Sequence, residues 1–398
     1  MLTRILSSLL IVVMALTIMR CGEDSNLLTE TKKFTSIFDS NQFSEGFSPI
    51  DIQQTADGGY VVLGESRLIG TQLTGVYLLK ADKYGNFVKF VDADTLNNPV
   101  ARLSKVADKY YFFCVKNKGT DVHLASFDEN LDNFTTTPLG FVNPAASLAI
   151  DQGLLLYSVD INGKQSIISL IGLDGSTIKQ KGYTIGDGDD SEKPLSEHFL
   201  KTGKQFPFDV GMVSPGVYYF NGFYDYTFSL IFTDINGDEP IGIISGQQDD
   251  GGFSALTPLS SSKYAAARYN FGDNYFLPNT QIVATENRPG IDLGGLSLPE
   301  LISETKVKIL RSVVKEKNVL IYAADTQTRQ IGLYFYDEAT GAFIGSKYLG
   351  FSNPFTIGNL INTEDGGIAV CGTTYLAGRF PRISIFKLSK EEVASNVK

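Results

Sequence analysis

The stretch TADGGYVVLGES at Thr55–Ser66 recurs as TEDGGIAVCGTT at Thr363–Thr374, 308 residues further along a chain of 398. In both copies a Thr-x-Asp-Gly-Gly sequence precedes an apolar run of strand-forming residues. The Asp-Gly-Gly part favours a tight turn, because glycine adopts positive φ without steric cost. The two copies therefore predict the same hairpin near each end of the chain.

A second pattern fills the interval: an apolar strand that ends in an acidic residue and is followed by a turn. It reads YLLKAD at Asp82 and recurs at intervals of 46, 46, 60, 52, 51 and 52 residues. The later copies end at Asp128, Asp174, Asp234, Glu286, Asp337 and Ser389. Another strand-like run begins 17 to 22 residues before each of these markers. An earlier strand precedes this run, and a fourth extended segment follows the turn after the marker. Units of about 50 residues with four strands each are typical of a β-propeller.

We therefore predict an all-β, seven-bladed β-propeller of four-stranded antiparallel blades over residues 32–392. The last unit ends after its third strand, and a spare strand at 32–38 precedes the first unit. We expect this N-terminal strand to close the last blade, because circular closure removes exposed sheet edges. The predicted blades cover residues 47–92, 98–138, 144–183, 206–245, 253–288, 304–349 and 354–390.

The first residues differ from the rest: one positive charge, an apolar run over Ile5–Met19, then Arg20, Cys21 and a polar stretch. This pattern resembles a bacterial lipoprotein signal, in which the cysteine is acylated, although Arg20 stands where such signals carry a small residue. An ordinary secretory signal or an uncleaved anchor is the alternative. We expect a signal peptide at 1–20, a tether at 21–31, and a lipid on Cys21 that holds the protein on the cell outer membrane.

The phrase TxDGGY, followed by an apolar strand and a glycine, resembles the propeller repeats of secreted and lipid-anchored Bacteroidetes proteins. The likeness covers the first and last units well and the middle units loosely. It implies the fold and no particular activity.

Composition excludes several classes of function. The formal charge is −10, and −12 without the two arginines of residues 1–20, so no nucleic-acid partner is expected. Two histidines leave little material for a His-based metal site or a Ser-His-Asp triad. Without tryptophan the chain also lacks the docking residues that quinone-dependent propellers use, and we expect no metal or cofactor. His123 begins a marker strand, and His198 falls in a polar stretch. Cys114 and Cys371 lie in apolar runs and are expected to be buried hydrophobes rather than a disulfide.

Three charged residues, Asp51, Arg102 and Asp209, fall on predicted first strands and would face a central channel. Two carboxylates beside an arginine can perform acid–base chemistry on a glycosidic bond when they lie about 5–9 Å apart. The simpler interpretation is that the charges neutralise one another in a wet channel. We therefore expect a non-catalytic protein, with a propeller hydrolase or lyase as an alternative.

The long segments of the chain are all predicted on one side of the blades. They are Arg67–Gly75, Tyr183–Gln205, Gly246–Gly252, Phe271–Thr280, Arg288–Ser303 and Tyr375–Pro381. Long loops on a rigid scaffold commonly carry recognition, and Tyr and Phe are favoured at interfaces and on sugar rings. The chain is thus expected to bind an envelope protein or, alternatively, a glycan, unless these aromatics merely pin their own loops. The candidate binding residues are Tyr224, Tyr226, Phe271, Asp273, Tyr275, Phe276, Tyr375, Arg379 and Phe380.

Overall fold

The computed structural model describes residues 33–39, 46–68, 71–248, 250–376 and 380–397. The predicted signal peptide, the tether with Cys21, and Arg379 lie outside these residues. The described chain is all-β, with two short helices, α1 (Glu192–Phe199) and α2 (Lys390–Ser395). Neither of them has the length and apolar character that a bilayer-spanning helix needs.

The described residues form six sheets, of which sheet A has seven strands. Its strands are β2 (Phe47–Gln54), β3 (Tyr60–Arg67), β4 (Thr74–Ala81), β5 (Phe87–Val106), β6 (Lys109–Lys116), β7 (Asp121–Asp128) and β8 (Thr135–Val142). The 20-residue strand β5 pairs with β4 through its first part and with β6 through its second part. Sheet A therefore consists of two four-stranded sets that share β5.

Sheets B, C and D follow in chain order. Sheet B contains β9 (Pro144–Ile150), β10 (Gly153–Asp160), β11 (Gln165–Ile171) and β12 (Thr177–Thr184). Sheet C contains β13 (Asp209–Ser214), β14 (Val217–Tyr224), β15 (Thr227–Thr233), β16 (Gly242–Ser245) and a parallel fifth strand, β20 (Asn287–Pro289). Sheet D contains β17 (Gly251–Pro258), β18 (Lys263–Asn270), β19 (Asp273–Gln281) and β21 (Leu296–Ser297). The segment that follows β19 thus adds a strand to both C and D.

Sheets E and F complete the described chain. Sheet E contains β22 (Val307–Val314), β23 (Lys317–Asp325), β24 (Ile331–Asp337) and β25 (Phe343–Leu349). Sheet F contains β26 (Phe355–Asn362), β27 (Ile368–Leu376), β28 (Phe380–Leu388) and β1 (Phe34–Phe38). Strand β1 runs antiparallel to β28, with Phe34 opposite Lys387 and Phe38 opposite Ile383. The prediction that an N-terminal strand completes the last sheet is confirmed.

Consecutive sheets contact each other through the first strand of each four-stranded set. Strand β2 contacts β5, β5 contacts β9, and the series continues through β13, β17, β22 and β26, which contacts β2 again. Apolar side chains fill the space between neighbouring sheets; Tyr157 of β10 stacks on Phe220 of β14, with the ring centroids 5.0 Å apart. The first strands therefore form a closed series, with the core between the sheets.

The repeated phrase has one structural role at both of its positions. Asp57 accepts hydrogen bonds from the Thr55 hydroxyl at 2.5 Å and the Gly59 amide at 2.9 Å, and pairs with Lys80 of β4 at 3.1 Å. The corresponding residues of the second copy are Asp365, Thr363, Gly367 and Lys387. In both copies the aspartate carboxylate thus closes the turn. It also pairs with a buried lysine on the third strand of the same four-stranded set.

Two predicted long loops are corrected by the structure. Phe271 and Gly272, both with positive φ, form a two-residue turn, and the next residues are strand β19. Phe271–Thr280 is therefore a hairpin and not a loop, because a glycine at the second turn position favours a tight β-hairpin. The expected strand end at Glu286 is also wrong, since β19 ends at Gln281. Within Tyr183–Gln205, β12 continues to Thr184 and helix α1 follows.

Candidate functional site

Asp51 lies on β2 and is fully buried. One carboxylate oxygen accepts hydrogen bonds from the Ile52 amide at 2.7 Å and the Asn359 side chain at 2.5 Å. The other oxygen accepts from the Leu103 amide at 2.7 Å. Burial raises the pKa of this carboxyl, and the three donors oppose the rise. Asp51 thus connects β2 to β5 and β26.

Nη2 of Arg102 lies 3.6 Å from Oδ1 of Asp209. The Tyr219 hydroxyl donates a hydrogen bond to Oδ2 of Asp209 at 3.4 Å. Burial raises the pKa of Asp209, and the positive charge of Arg102 opposes this rise. Burial acts to lower the pKa of Arg102, but the negative charge of Asp209 outweighs it, so the pKa of Arg102 is raised. Lys308 of β22, which the sequence did not single out, adds a second cation whose pKa burial lowers. Arg102 and Asp209 thus form an ion pair, and the charges of Asp51 and Asp209 act on the nearby Lys308.

The segment 185–208, which contains α1, is anchored at two distant places in the fold. The Asn98 side chain of sheet A donates to the Phe199 carbonyl at 3.3 Å. On the far side, Lys204 pairs with Glu304, just before sheet E, at 2.9 Å. The two anchors belong to sheets A and E, so the segment connects parts of the chain that sheet F separates in the closed series.

His198 belongs to α1 and lies among aromatic side chains rather than in the polar loop expected from the sequence. Its Nδ1 accepts a hydrogen bond from the Phe206 amide at 3.0 Å, and the Phe208 ring lies 4.6 Å away. Burial, followed by the charges of Lys201 and Lys306, lowers its pKa to about 3. His198 is therefore a neutral structural residue that holds the 185–208 segment together.

Three of the predicted binding residues are exposed at the turns between second and third strands. Tyr226, at the tip of the β14–β15 hairpin, is 41% exposed, and Phe271, at the tip of the β18–β19 hairpin, is 67% exposed. Asp273 is exposed beside Phe271. The two hairpins belong to the adjacent sheets C and D. Their tips therefore form an aromatic edge, a name kept below for Tyr226, Phe271 and Asp273.

The other predicted binding residues are placed differently. Phe276 is fully buried and stacks on Tyr322 with the centroids 4.5 Å apart, so its assignment to a binding face is wrong. Tyr224 is half-buried and donates its hydroxyl to Glu239 at 3.2 Å. The remaining half-buried members are Tyr275, Tyr375 and Phe380.

A cavity of about 220 Å³ lies between sheets C and D, at the same end of the strands as the aromatic edge. Its walls are residues 245–247, 251–253, 268–270 and 289–291. Three of these stretches overlap segments predicted to carry recognition, Gly246–Gly252 and Arg288–Ser303. The buried side chain of Arg268 also lines the cavity, and the sequence had not singled it out.

The antiparallel sheets, arranged in chain order with their first strands in a closed series, are those of a β-propeller. The chain resembles the β-propeller domain of the Trilobed protease from Pyrococcus furiosus at 9% identity and a TM-score of 0.44, over 86% of this chain and 95% of that one. It resembles the Saccharomyces cerevisiae core factor at 8% identity and a TM-score of 0.50, over 90% of this chain and 61% of that one. These likenesses concern the fold alone.

Prolyl oligopeptidase B from Galerina marginata is also similar, at 9% identity and a TM-score of 0.41, over 83% of this chain. The chain spans about half (47%) of that protein's length. No family of known proteins and no curated protein matches the sequence.

Proposed function

We propose that this chain is a seven-bladed β-propeller that serves as a non-catalytic, lipid-anchored binding or scaffold module of the cell envelope. The blade count is supported by the shared strand β5, which divides sheet A into two sets, and by the closed series of first strands. The anchor is supported by the lipoprotein-like sequence ending at Cys21, and the TxDGGY phrase favours an origin among Bacteroidetes-type envelope propellers.

The aromatic edge carries the binding part of the proposal. Phe271 is the most exposed of the large apolar side chains in the described part of the chain, at 67%. Aromatic residues contribute strongly to the energetics of interfaces. Phe271 is held rigidly, because its amide donates to the Asp250 carbonyl at 2.8 Å and the Glu304 amide donates to Gly272 at 3.3 Å. A preorganised aromatic tip loses little conformational entropy on binding.

The partner is proposed to be an envelope protein, and cross-linking capture from intact envelopes tests this. The full chain is compared with Phe271→Ser and Tyr226→Ser. Phe343→Ser is the matched control, because Phe343 is 56% exposed at the opposite end of the strands, next to the turn between third and fourth strands. We expect one specific protein in the wild-type and control captures, reduced about tenfold or more by the two edge variants.

Equal capture by all four proteins would refute the protein-binding role. Binding to a glycan array that is lost in Tyr226→Ser, without protein capture, would instead favour the glycan alternative. The anchor is tested separately with Cys21→Ser, which should abolish incorporation of a labelled fatty acid and release the protein from the membrane fraction. Lipid incorporation that continues in this variant would contradict acylation at Cys21.

A further inference from the structure

The cavity between sheets C and D contains an arginine with unused hydrogen-bond donors. Arg268 of β18 is only 6% exposed. Its Nε donates to the Gly294 carbonyl at 2.6 Å, and the guanidinium lies 4.2 Å from the centroid of the Tyr275 ring. Within the described part of the chain, neither terminal nitrogen of this guanidinium has a hydrogen-bond partner. A fixed cation with free donors therefore faces the cavity.

A buried arginine without a counter-ion is unfavourable, because desolvation of the charge is not repaid by an ion pair. Burial accordingly lowers the pKa of Arg268. The carbonyl of Gly294 and the ring of Tyr275 fix the plane of the guanidinium, and such a planar fork matches the two oxygens of a carboxylate. An anion that enters from the cavity would supply the counter-charge that this guanidinium lacks in the described part of the chain.

The walls limit the size and chemistry of that anion. At about 30 Å³ per water molecule, the cavity of about 220 Å³ has room for roughly seven waters or one small organic molecule. Phe253, Pro289 and Ile291 supply apolar surface to the same walls. The exposed carboxylates of Asp250 and Asp273 lie at the same end of the strands and disfavour a doubly charged ligand.

We propose that this cavity binds a small organic carboxylate, with Arg268 paired to the carboxylate and Phe253 and Ile291 packed against its apolar body. Tyr275, expected from the sequence to bind a partner, is in this site a positioning residue that holds Arg268 in place. The inference goes beyond the scaffold role, since it concerns a small ligand inside the protein and not a macromolecule at the aromatic edge.

Isothermal titration calorimetry on the full chain tests the proposal with three probes. These are benzoate, benzamide as its neutral counterpart, and inorganic phosphate as a compact anion without an apolar body. The variants are Arg268→Gln, Arg268→Lys and Ile291→Ser. Arg311→Gln is the matched control, because Arg311 pairs with Glu338 at the surface of sheet E. The thermal unfolding of each protein is recorded without ligand.

We expect benzoate to bind the wild type and the control, with benzamide and phosphate at least about tenfold weaker. Arg268→Gln should weaken benzoate about tenfold or more, and Arg268→Lys should fall between, since lysine keeps the charge and loses the fork. Should Arg268→Gln fail to fold, Ile291→Ser still decides, because Ile291 is exposed enough to be replaced without loss of the core.

Equal binding of benzoate and benzamide, unchanged benzoate affinity in the cavity variants, or no binding of benzoate would each overturn the proposal. The capture experiment on the aromatic edge is independent of these readouts. Benzoate binding without protein capture would support the carboxylate site and refute the scaffold role. Protein capture without benzoate binding would support the scaffold role and refute the carboxylate site.

Discussion

Asp325 provides a sharp test of how the sheets are joined. It ends β23, is 7% exposed, and accepts a hydrogen bond from the Ile357 amide of β26 at 2.7 Å. Burial raises its pKa from 3.8 to about 7, although the Ile357 amide and Lys306 act in the opposite direction. The perturbation is Asp325→Asn, which keeps an oxygen for the Ile357 amide and removes the titration.

The sign follows from the protons bound in each state. Between pH 3.8 and about 7 the native carboxyl keeps a proton that the unfolded chain has released. The native state then binds more protons, so the free energy of unfolding falls as the pH rises through this window and levels off above it. At 1.36 kcal/mol per pKa unit, the whole window corresponds to about 4 kcal/mol, of which about 3 kcal/mol lies between pH 5 and 8.

The assay is urea unfolding at pH 5, 6, 7 and 8, followed by tyrosine fluorescence, since the chain has 19 tyrosines and no tryptophan. Asp325→Asn should gain about 3 kcal/mol of stability relative to the wild type between pH 5 and 8. Asp337→Asn is the control, because hydrogen bonds from Thr340 lower the pKa of that exposed carboxyl and move its titration below this range. A difference between Asp325→Asn and wild type that stays constant, or shrinks, from pH 5 to 8 would refute the reasoning.

Three further predictions test which side chains are buried. Phe276→Ala should lower the free energy of unfolding by about 3–5 kcal/mol, whereas Phe271→Ser should change it by less than about 0.5 kcal/mol; similar losses in urea unfolding would contradict their placement. Lys387→Met should cost about 2 kcal/mol, because it leaves Asp365 unpaired, and a double-mutant cycle with Asp365→Asn should show coupling between the two. Burial raises the pKa of the Cys114 thiol to about 12, so mass spectrometry should detect iodoacetamide alkylation only after unfolding.

The strand repeat and its closure could be predicted because their signals are local. The carboxylate of Asp57 closes its turn with Thr55 and Gly59, all within five residues, and that phrase is legible in the sequence. The marker aspartates work in the same way; Asp82 accepts from the Tyr84 and Asn86 amides. Lys80 could not be found in this manner, since its pairing with Asp57 depends on the register of two strands.

The binding residues were harder to predict, because a single turn decides which side chains point inward. Once Phe271 and Gly272 form the turn, alternation along β19 places Phe276 in the core beside Tyr322 and leaves Tyr275 on the other face. When Phe271–Thr280 is interpreted as a loop, nothing in the sequence separates the buried Phe276 from Tyr275.

The β18–β19 hairpin joins the two proposed sites. Its tip carries Phe271, and its strands carry Arg268 and Tyr275, which stack on each other at the cavity. Hydrogen bonds to Asp250 on one side and from Glu304 on the other fix the tip. Since the hairpin is held at both places, occupation of the cavity need not move the tip, and a partner at the tip need not close the cavity. The structure therefore favours two independent binding events on one rigid element over a ligand-gated interface.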